Sequence, residues 1–424
     1  MISIYLHIPF CAHRCAYCDF NTYAGQQGLI PAYVDALRNE INAVARGVER
    51  SQEPQAESAV ETRLAVHTVF FGGGTPSLLT PSQFESILDA LSAHFELSPA
   101  AELTFEANPG TVSAEGLLRL RRAGMNRVSF GMQSANAEEL RMLERIHTFV
   151  DVIEAVKWAR QAGFDNLNLD LIYGLPEQTL STWQTTVKRA VALRPEHLSL
   201  YALTLEHGTP FGRWANRGLL PLPDPDLAAD MYEWSSEFLA ANGYVQYEIS
   251  NWALDGGRWT VDDKTNDKGE SRSTVYGLPS FACKHNLQYW RNLDYLGFGA
   301  GAHGYAESIR YSNVMRIKTY IERLANPQAT PLPFPLTPAA VNHHKNSLRD
   351  DMQETMITGL RLTNEGVSAA GFHARFGAQL TDVFGKEIDE LLGLRLLEWA
   401  GDALRLSEHG RLLGNQVFIR FVGD

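Results

Sequence analysis

Six short apolar runs, each followed by a stretch of helical periodicity, constrain this chain more than any other feature. The runs lie at 2–8, 66–71, 102–106, 127–130, 167–173 and 197–203. Between and after them, apolar residues recur at helical spacing over roughly 31–46, 81–95, 113–123, 136–144, 148–162 and 179–192. Thr80-Pro81 adds a helix start, a capping hydroxyl followed by proline at the first helical position. Regular alternation of this kind implies a parallel sheet joined by right-handed crossovers. Six units are fewer than the eight that close a TIM barrel, so an α/β fold with a partial, open (β/α)6 barrel is expected. Such sheets collect their ligands at the C-terminal ends of the strands.

The rhythm changes after about residue 225. A helix is expected over 226–242 and a strand over 244–252, followed by a polar insertion at 255–273. A smaller insertion is expected at 48–62, and three prolines mark 330–337 as a linker. Beyond it, helical patterns at 350–361, 366–376 and 379–393, a β pair near 394–407 and a helix near 408–418 suggest a winged-helix-like α+β module. The expected organisation is a barrel over 1–240, a connecting segment over 241–335 and an accessory domain over 336–424. At 424 residues the chain is too long for one compact core.

Composition narrows the function classes. A formal net charge of −12 and the lack of a basic recognition helix argue against nucleic acid as partner. No run approaches the length of about 18 apolar residues that a membrane span needs. The N-terminal residues do not read as a secretory signal, so a cytoplasmic location is expected.

There are four cysteines, and three of them, Cys11, Cys15 and Cys18, fall within eight residues directly after the first strand. Such a cluster reads as metal-binding rather than as a disulfide framework. Three thiolates suit an iron–sulfur cube with one iron left open to a small chelator. Zinc is the competing reading, with His7 or His13 as fourth ligand, although structural zinc spacings normally come as separated pairs. The other strand ends carry polar groups inside apolar patterns. Gly72-Gly73-Gly74-Thr75 ends the second strand, Glu106 closes the third, Gln133 follows the fourth and Asp170 lies in the fifth. Each alone could be a structural hydrogen-bonder, but several converging suggest a ligand.

The segment Tyr5-Leu6-His7-Ile8-Pro9-Phe10-Cys11, continued through Cys15, Tyr17 and Cys18 to Asp19-Phe20, resembles the signature of the radical S-adenosylmethionine (SAM) superfamily. Within it, the chain is most similar to the branch of oxygen-independent coproporphyrinogen III oxidase and its HemW-like relatives. The resemblance implies a [4Fe–4S] cluster on Cys11, Cys15 and Cys18, with SAM on the open iron. It also implies SAM contacts from Tyr5, Tyr17, Gly73, Gly74, Thr75, Glu106, Gln133, Arg145 and Asp170, the Arg145 guanidinium pairing with the SAM carboxylate. The oxidase pattern extends to a fourth cysteine where this chain has Phe20, and carries a longer segment before the motif than the ten residues here. Both departures point to the HemW-like group. That group implies haem as a third cofactor, a haem-acceptor protein as partner, a second copy of the chain in a homodimer, and peripheral contact with a membrane acceptor.

The stretch Cys283-Lys284-His285-Asn286-Leu287-Gln288-Tyr289-Trp290 resembles that group's H-N-x-x-Y-W motif and nominates His285 as haem ligand. A capped turn is the competing reading for His285, and Cys283 reads as a soft ligand or, as a lone cysteine more often is, inert core. His303, inside Gly299-Ala300-Gly301-Ala302-His303-Gly304, is another candidate for the substrate cavity, with a tight loop holding a satisfied histidine as the preferred reading. Gly359-Leu360-Arg361-Leu362 is similar to the branch's accessory domain. The leading expectation is a haem chaperone. The alternatives are an oxidase that decarboxylates porphyrinogen propionates, and a structural iron–sulfur protein, which would leave the strand-end groups unexplained.

Overall fold

The computed structural model describes residues 1–51, 63–255, 278–326 and 332–422. The expected insertion at 255–273 lies outside these beyond Asp255, as does that at 48–62 from residue 52 onward. The first β/α units form as the alternation predicts. Parallel strands β1 (Ile2–Ile8), β2 (Ala65–Gly73), β3 (Glu96–Ala107), β4 (Arg127–Gln133), β5 (Leu167–Tyr173) and β6 (His197–Ala202) stand in sequential order in one sheet. Helices α1 (Ile30–Ser51), α2 (Pro81–His94), α3 (Ala114–Arg122), α4 (Ala137–Met142), α5 (Phe149–Gln161) and α6 (Leu180–Ala192) connect them. Thr80 and Pro81 start α2 as expected, in a reciprocal capping box with Gln83.

Each strand sends one set of side chains to the helices and the other to the barrel interior. Ile4, Leu6, Val69, Phe71, Phe105, Phe130 and Leu169 face outward into a core with Leu37, Phe84, Ile87, Val152 and Trp183. The alternate positions are Ser3, Tyr5 and His7 on β1, Thr104 and Glu106 on β3, Ser129 on β4, Asn168 and Asp170 on β5, and Ser199 on β6. A parallel strand buried on both faces usually reads as continuously apolar. A polar inner face is costly unless its groups are partnered, so the interior is built around hydrogen bonds.

The sheet extends beyond the six expected strands. The stretch expected as one strand at 244–252 is an antiparallel pair, β7 (Tyr244–Glu248) and β8 (Asn251–Leu254), with β8 also pairing β6. The buried Glu248 carboxylate causes the turn by accepting from Ser250 N at 3.0 Å and from the Asn251 side chain. Helices α7 (Pro210–Asn216) and α8 (Pro225–Ala241) precede β7, and after α9 (Lys284–Trp290) four strands were unforeseen: β9 (Tyr295–Phe298), β10 (His303–Ala306), β11 (Ile309–Asn313) and β12 (Ala340–Lys345). β9 is parallel to β1, and β10 to β12 follow antiparallel. The order across the mixed sheet is β12-β11-β10-β9-β1-β2-β3-β4-β5-β6-β8-β7, and among the described residues its two edges do not meet. β12 therefore belongs to the main sheet although it lies in the stretch expected to be accessory.

Helix α10 (Ile317–Leu324) packs on α1. The last part is winged-helix-like, with α11 (Leu348–Gly359), α12 (Ala369–Phe376), α13 (Leu380–Gly393) and strands β13 (Val367–Ser368), β14 (Leu397–Ala400) and β15 (Ala403–Leu406) in the order β13-β15-β14. It has its own core around Met356, Phe372, Phe384, Ile388 and Leu404. No helix among the described residues is long and apolar enough to cross a membrane.

Candidate functional site

A cavity of about 450 Å³ opens at the C-terminal ends of β1 to β6, where a sheet of this kind places its chemistry. The cysteine loop forms one wall. It leaves β1, pairs briefly with Tyr23-Ala24, and is tied by Gln27 Nε2 donating to Cys11 O at 2.8 Å. Its three thiols line one cavity. Cys11 Sγ accepts from Thr75 Oγ1 at 3.6 Å, Cys15 Sγ from Arg145 Nη1 at 3.5 Å, and Cys18 Sγ lies 3.8 Å from Thr22 Oγ1. Burial pushes the Cys11 and Cys18 thiols up. A metal that binds thiolate would offset that cost, and the hydroxyl and guanidinium donors lower it further.

The glycine turn buttresses this loop. Gly74 N donates to Ile8 O at 2.9 Å and Thr75 N to Phe10 O at 2.7 Å. At Gly74 a Cβ would lie 2.7 Å from both of those carbonyl oxygens. At Gly73 the backbone has φ +105°, and a Cβ would lie 2.4 Å from the His7 ring. His7 cannot yield, because Tyr5 Oη holds its Nδ1 at 3.0 Å and Asn21 O holds its Nε2 at 3.0 Å. Gly73→Ala is therefore expected to cost about 2 kcal/mol or more, from backbone strain and overpacking together. Thermal unfolding with iron analysis checks it: both the melting temperature and cluster occupancy should fall.

Two buried carboxyls face the same cavity. Glu106 Oε2 accepts from Gly73 N at 3.0 Å, while Asp170 accepts from Ser129 Oγ at 2.7 Å and Asn168 Nδ2 at 2.8 Å. Burial, with Asp170 adding to it, pushes Glu106 up to about 8, and burial raises Asp170 as well. The Arg127 guanidinium lowers both but does not outweigh burial, so a cationic ligand would suit the pair. Opposite in sign, Arg145 donates through Nη2 to Gly131 O at 3.0 Å, and its buried Nε has no partner. Gln133 ends β4 with φ 63° at a register break against β5. Strain of this kind in a non-glycine residue concentrates at ligand sites. Its amide lies over Gly131, where a Cβ would come within 2.9 Å of Gln133 Nε2 and 3.2 Å of Arg145 Nη2. Tyr17 lines the cavity, and burial raises its hydroxyl.

The structure thus brings Cys11, Cys15, Cys18, Tyr17, Gly73, Gly74, Thr75, Glu106, Gln133, Arg145 and Asp170 to one cavity. Tyr5 and His285 are elsewhere. The Tyr5 ring sits behind Gly72, where a Cβ would lie 3.0 Å from it, and lines a second cavity. His285 lies on α9, on the N-terminal side of the strands. Its Nδ1 is 2.7 Å from Thr68 Oγ1, its Nε2 is 2.9 Å from Tyr289 Oη, and its ring stacks on Phe70 with centroids 5.0 Å apart. It is 2% exposed, and burial lowers its pKa to about 3. Both ring nitrogens are engaged, so in this conformation His285 offers none to an iron. Glu102 holds the start of α9 by accepting from Lys284 N at 3.1 Å, His285 N at 3.2 Å and Cys283 Sγ at 3.5 Å. Sequence reading missed Tyr201, which lines the first cavity, and the Ser129–Asn168–Ser199 shell beneath Asp170. Polar residues at every second position of the strands were the signal for that shell.

A three-thiol loop after the first strand, a glycine turn bracing it, and a buried carboxyl pair opposite a half-satisfied arginine define a radical SAM protein. Residues 5–190 match the Radical SAM superfamily model, and residues 346–413 match the HemN C-terminal domain. The chain is 36% identical over 422 residues to the heme chaperone HemW of Lactococcus lactis, across 100% of this chain and 97% of that one. It is likewise 36% identical over 426 residues to the heme chaperone HemW of Bacillus subtilis, across 100% of both. The chain belongs to the HemW family. Its fold matches that of coproporphyrinogen III oxidase (HemN) from Escherichia coli, a radical SAM enzyme, with TM-score 0.75 and 24% identity over 99% of this chain and 89% of that one. Membership in the radical SAM superfamily implies a [4Fe–4S] cluster and SAM, and the residues present fit both. The thiols share one cavity, burial raises both carboxyls beside it, the Arg145 Nε is orphaned, and a side chain at Gly131 would crowd Gln133 and Arg145.

Proposed function

We propose that this protein is a haem chaperone that binds haem and passes it to an acceptor protein, on a scaffold that carries a [4Fe–4S] cluster and SAM. The observation that carries this reading is full-length likeness to proteins named as heme chaperones, across both the barrel and the accessory part. When bound, the cluster supplies an electron and an open iron coordination position for SAM. Cys11, Cys15 and Cys18 would hold its irons, with Thr75 and Arg145 donating toward the thiolates. Glu106 and Asp170 would take the cationic end of SAM, and Arg145 its carboxylate. Gly73 and Gly74 would line the ligand's pocket beside the cysteine loop, while Gln133 and Tyr17 close over it. Tyr5 would act from the wall behind Gly72. A second copy of the chain, and a membrane-associated acceptor met peripherally, remain within this proposal.

Two assays separate the reading from its nearest rival. Haem added to the reconstituted protein is expected to give saturable binding in the Soret band. Coproporphyrinogen III, supplied anaerobically with SAM and a reductant, is expected to give no protoporphyrinogen IX. Robust turnover would overturn the chaperone reading in favour of an oxidase.

A further inference from the structure

A second cavity, of about 790 Å³, lies between β1 and the extended edge of the sheet, and none of the three cysteines lines it. The volume is within the range of about 300–1,000 Å³ usual for cofactor-sized ligands. The register explains how it forms. Ser3 pairs with Tyr295, Tyr5 with Gly297, Tyr295 with Tyr305, and His303 with Ser312, so these residues share one face of the sheet. The concave barrel interior therefore continues over β9 to β12. Tyr289 and Trp290 of α9 close one side, and Tyr289 packs edge-on against Tyr295 with centroids 4.5 Å apart. The Trp290 Nε1 is buried without a partner. Phe20 and Met315 stand at the mouth, 63% and 60% exposed. Exposed apolar side chains of that size beside an aromatic-walled cavity mark a ligand surface.

The histidines single out one residue. Both ring nitrogens of His7, His197 and His285 are taken up by hydrogen bonds. His303 lines this cavity, is exposed, and among the described residues makes no hydrogen bond through its ring. A free imidazole at the mouth of a cavity walled by aromatic rings offers an axial ligand for iron and flat faces for a macrocycle.

We infer that this second cavity is the haem site, with His303 as the axial ligand and Phe20 and Met315 lying against the macrocycle. The inference rests on the haem-chaperone reading and gives it a place in the structure. Asp19 and Phe20 line both cavities, and Phe20 is two residues beyond Cys18. Haem bound here would lie next to the cluster loop.

The test is a haem titration of the cluster-reconstituted full chain, followed by Soret absorption and magnetic circular dichroism. Wild-type protein, His303→Ala, Asn342→Trp, which fills the cavity from the exposed strand β12, and His373→Ala, an exposed histidine on α12, are compared at equal iron content and helicity. His303→Ala should lose the histidine-ligated spectrum and weaken binding about ten-fold or more. Asn342→Trp should weaken binding, and His373→Ala should match wild type. If His303→Ala and Asn342→Trp both bind as wild type does, this site is overturned while the chaperone reading stands. If wild-type protein shows no saturable haem binding, the chaperone reading itself falls.

Discussion

Serine in place of Cys11, Cys15 or Cys18 leaves a folded protein that retains almost no [4Fe–4S] cluster after anaerobic reconstitution. The expectation follows from how the loop is held. Its course is fixed by backbone and amide hydrogen bonds, from Gly74 N to Ile8 O, Thr75 N to Phe10 O, Tyr23 N to Pro9 O and Gln27 Nε2 to Cys11 O. None of these uses a thiol, so the unfolding temperature of the cluster-free protein should barely move. On the proposed function three protein thiolates would hold the cluster, and a serine hydroxyl is a poor substitute for a soft thiolate. Iron and sulfide analysis, together with the visible charge-transfer absorption, reads the outcome. Cys283→Ser is the control. That thiol is buried at the start of α9 and donates to Glu102, far along the strands from the first cavity. It should keep its iron. Full cluster occupancy in Cys15→Ser would remove the three-thiol site from the chain.

The legible parts of the fold were those written in local pattern. Six strands and their helices follow from period-2 and 3.6-residue repeats, and Thr80-Pro81 from capping chemistry. The cysteine loop was legible because three ligands sit within eight residues. What escaped depends on distance. β9 has four residues, Tyr-Leu-Gly-Phe, and is a strand only because β1, far away in sequence, offers it a parallel edge. β12, Ala-Val-Asn-His-His-Lys, has no apolar alternation and is held by its pairing with β11. His285 and Tyr289 were read as one motif, and they do meet, ring to ring at 4.9 Å. Their position on the N-terminal side of the strands comes from Glu102, whose carboxylate gathers the first amides of α9 from 182 residues away. No local signal carries that. In sequence His303 is a substrate-cavity candidate whose glycine-rich surroundings favour a satisfied loop histidine. Strand pairing with Ser312 instead sets it on the open face of the sheet.

The same dependence on distant partners makes Glu40 the residue whose loss should unsettle the extended sheet most. Glu40 lies on α1, 0% exposed, and its two oxygens gather four donors from the far part of the chain. Asn313 Nδ2 and Thr337 Oγ1 donate to Oε1 at 2.7 and 2.9 Å, and Gly299 N and Tyr320 Oη to Oε2 at 2.8 and 2.6 Å. The expected linker at 330–337 is thus pinned to the barrel at its end. Glu40→Ala would take an acceptor from all four groups in a buried site, Asn313 alone keeping a second one in Gly299 O, and about 3–5 kcal/mol of destabilisation is expected. Burial pushes the Glu40 carboxyl up to about 7 from an ordinary 4.5, while the four donors pull it down. A carboxyl raised on folding favours the folded state while it is protonated. Its contribution is fully present below about pH 4.5 and is lost as pH rises through 7. The loss is on the order of 2–3 kcal/mol between pH 5 and pH 8. Glu40→Gln keeps the shape but cannot titrate. Denaturant unfolding at the two pH values should show the wild-type protein losing that increment and the glutamine variant not losing it. Parallel pH curves for the two would mean that Glu40 stays ionised throughout. Asn313 lines the second cavity and reaches Glu40 through its amide. Haem affinity should therefore weaken in Glu40→Ala at temperatures where the barrel is still folded, because the β9–β11 edge that carries His303 loses its anchor first.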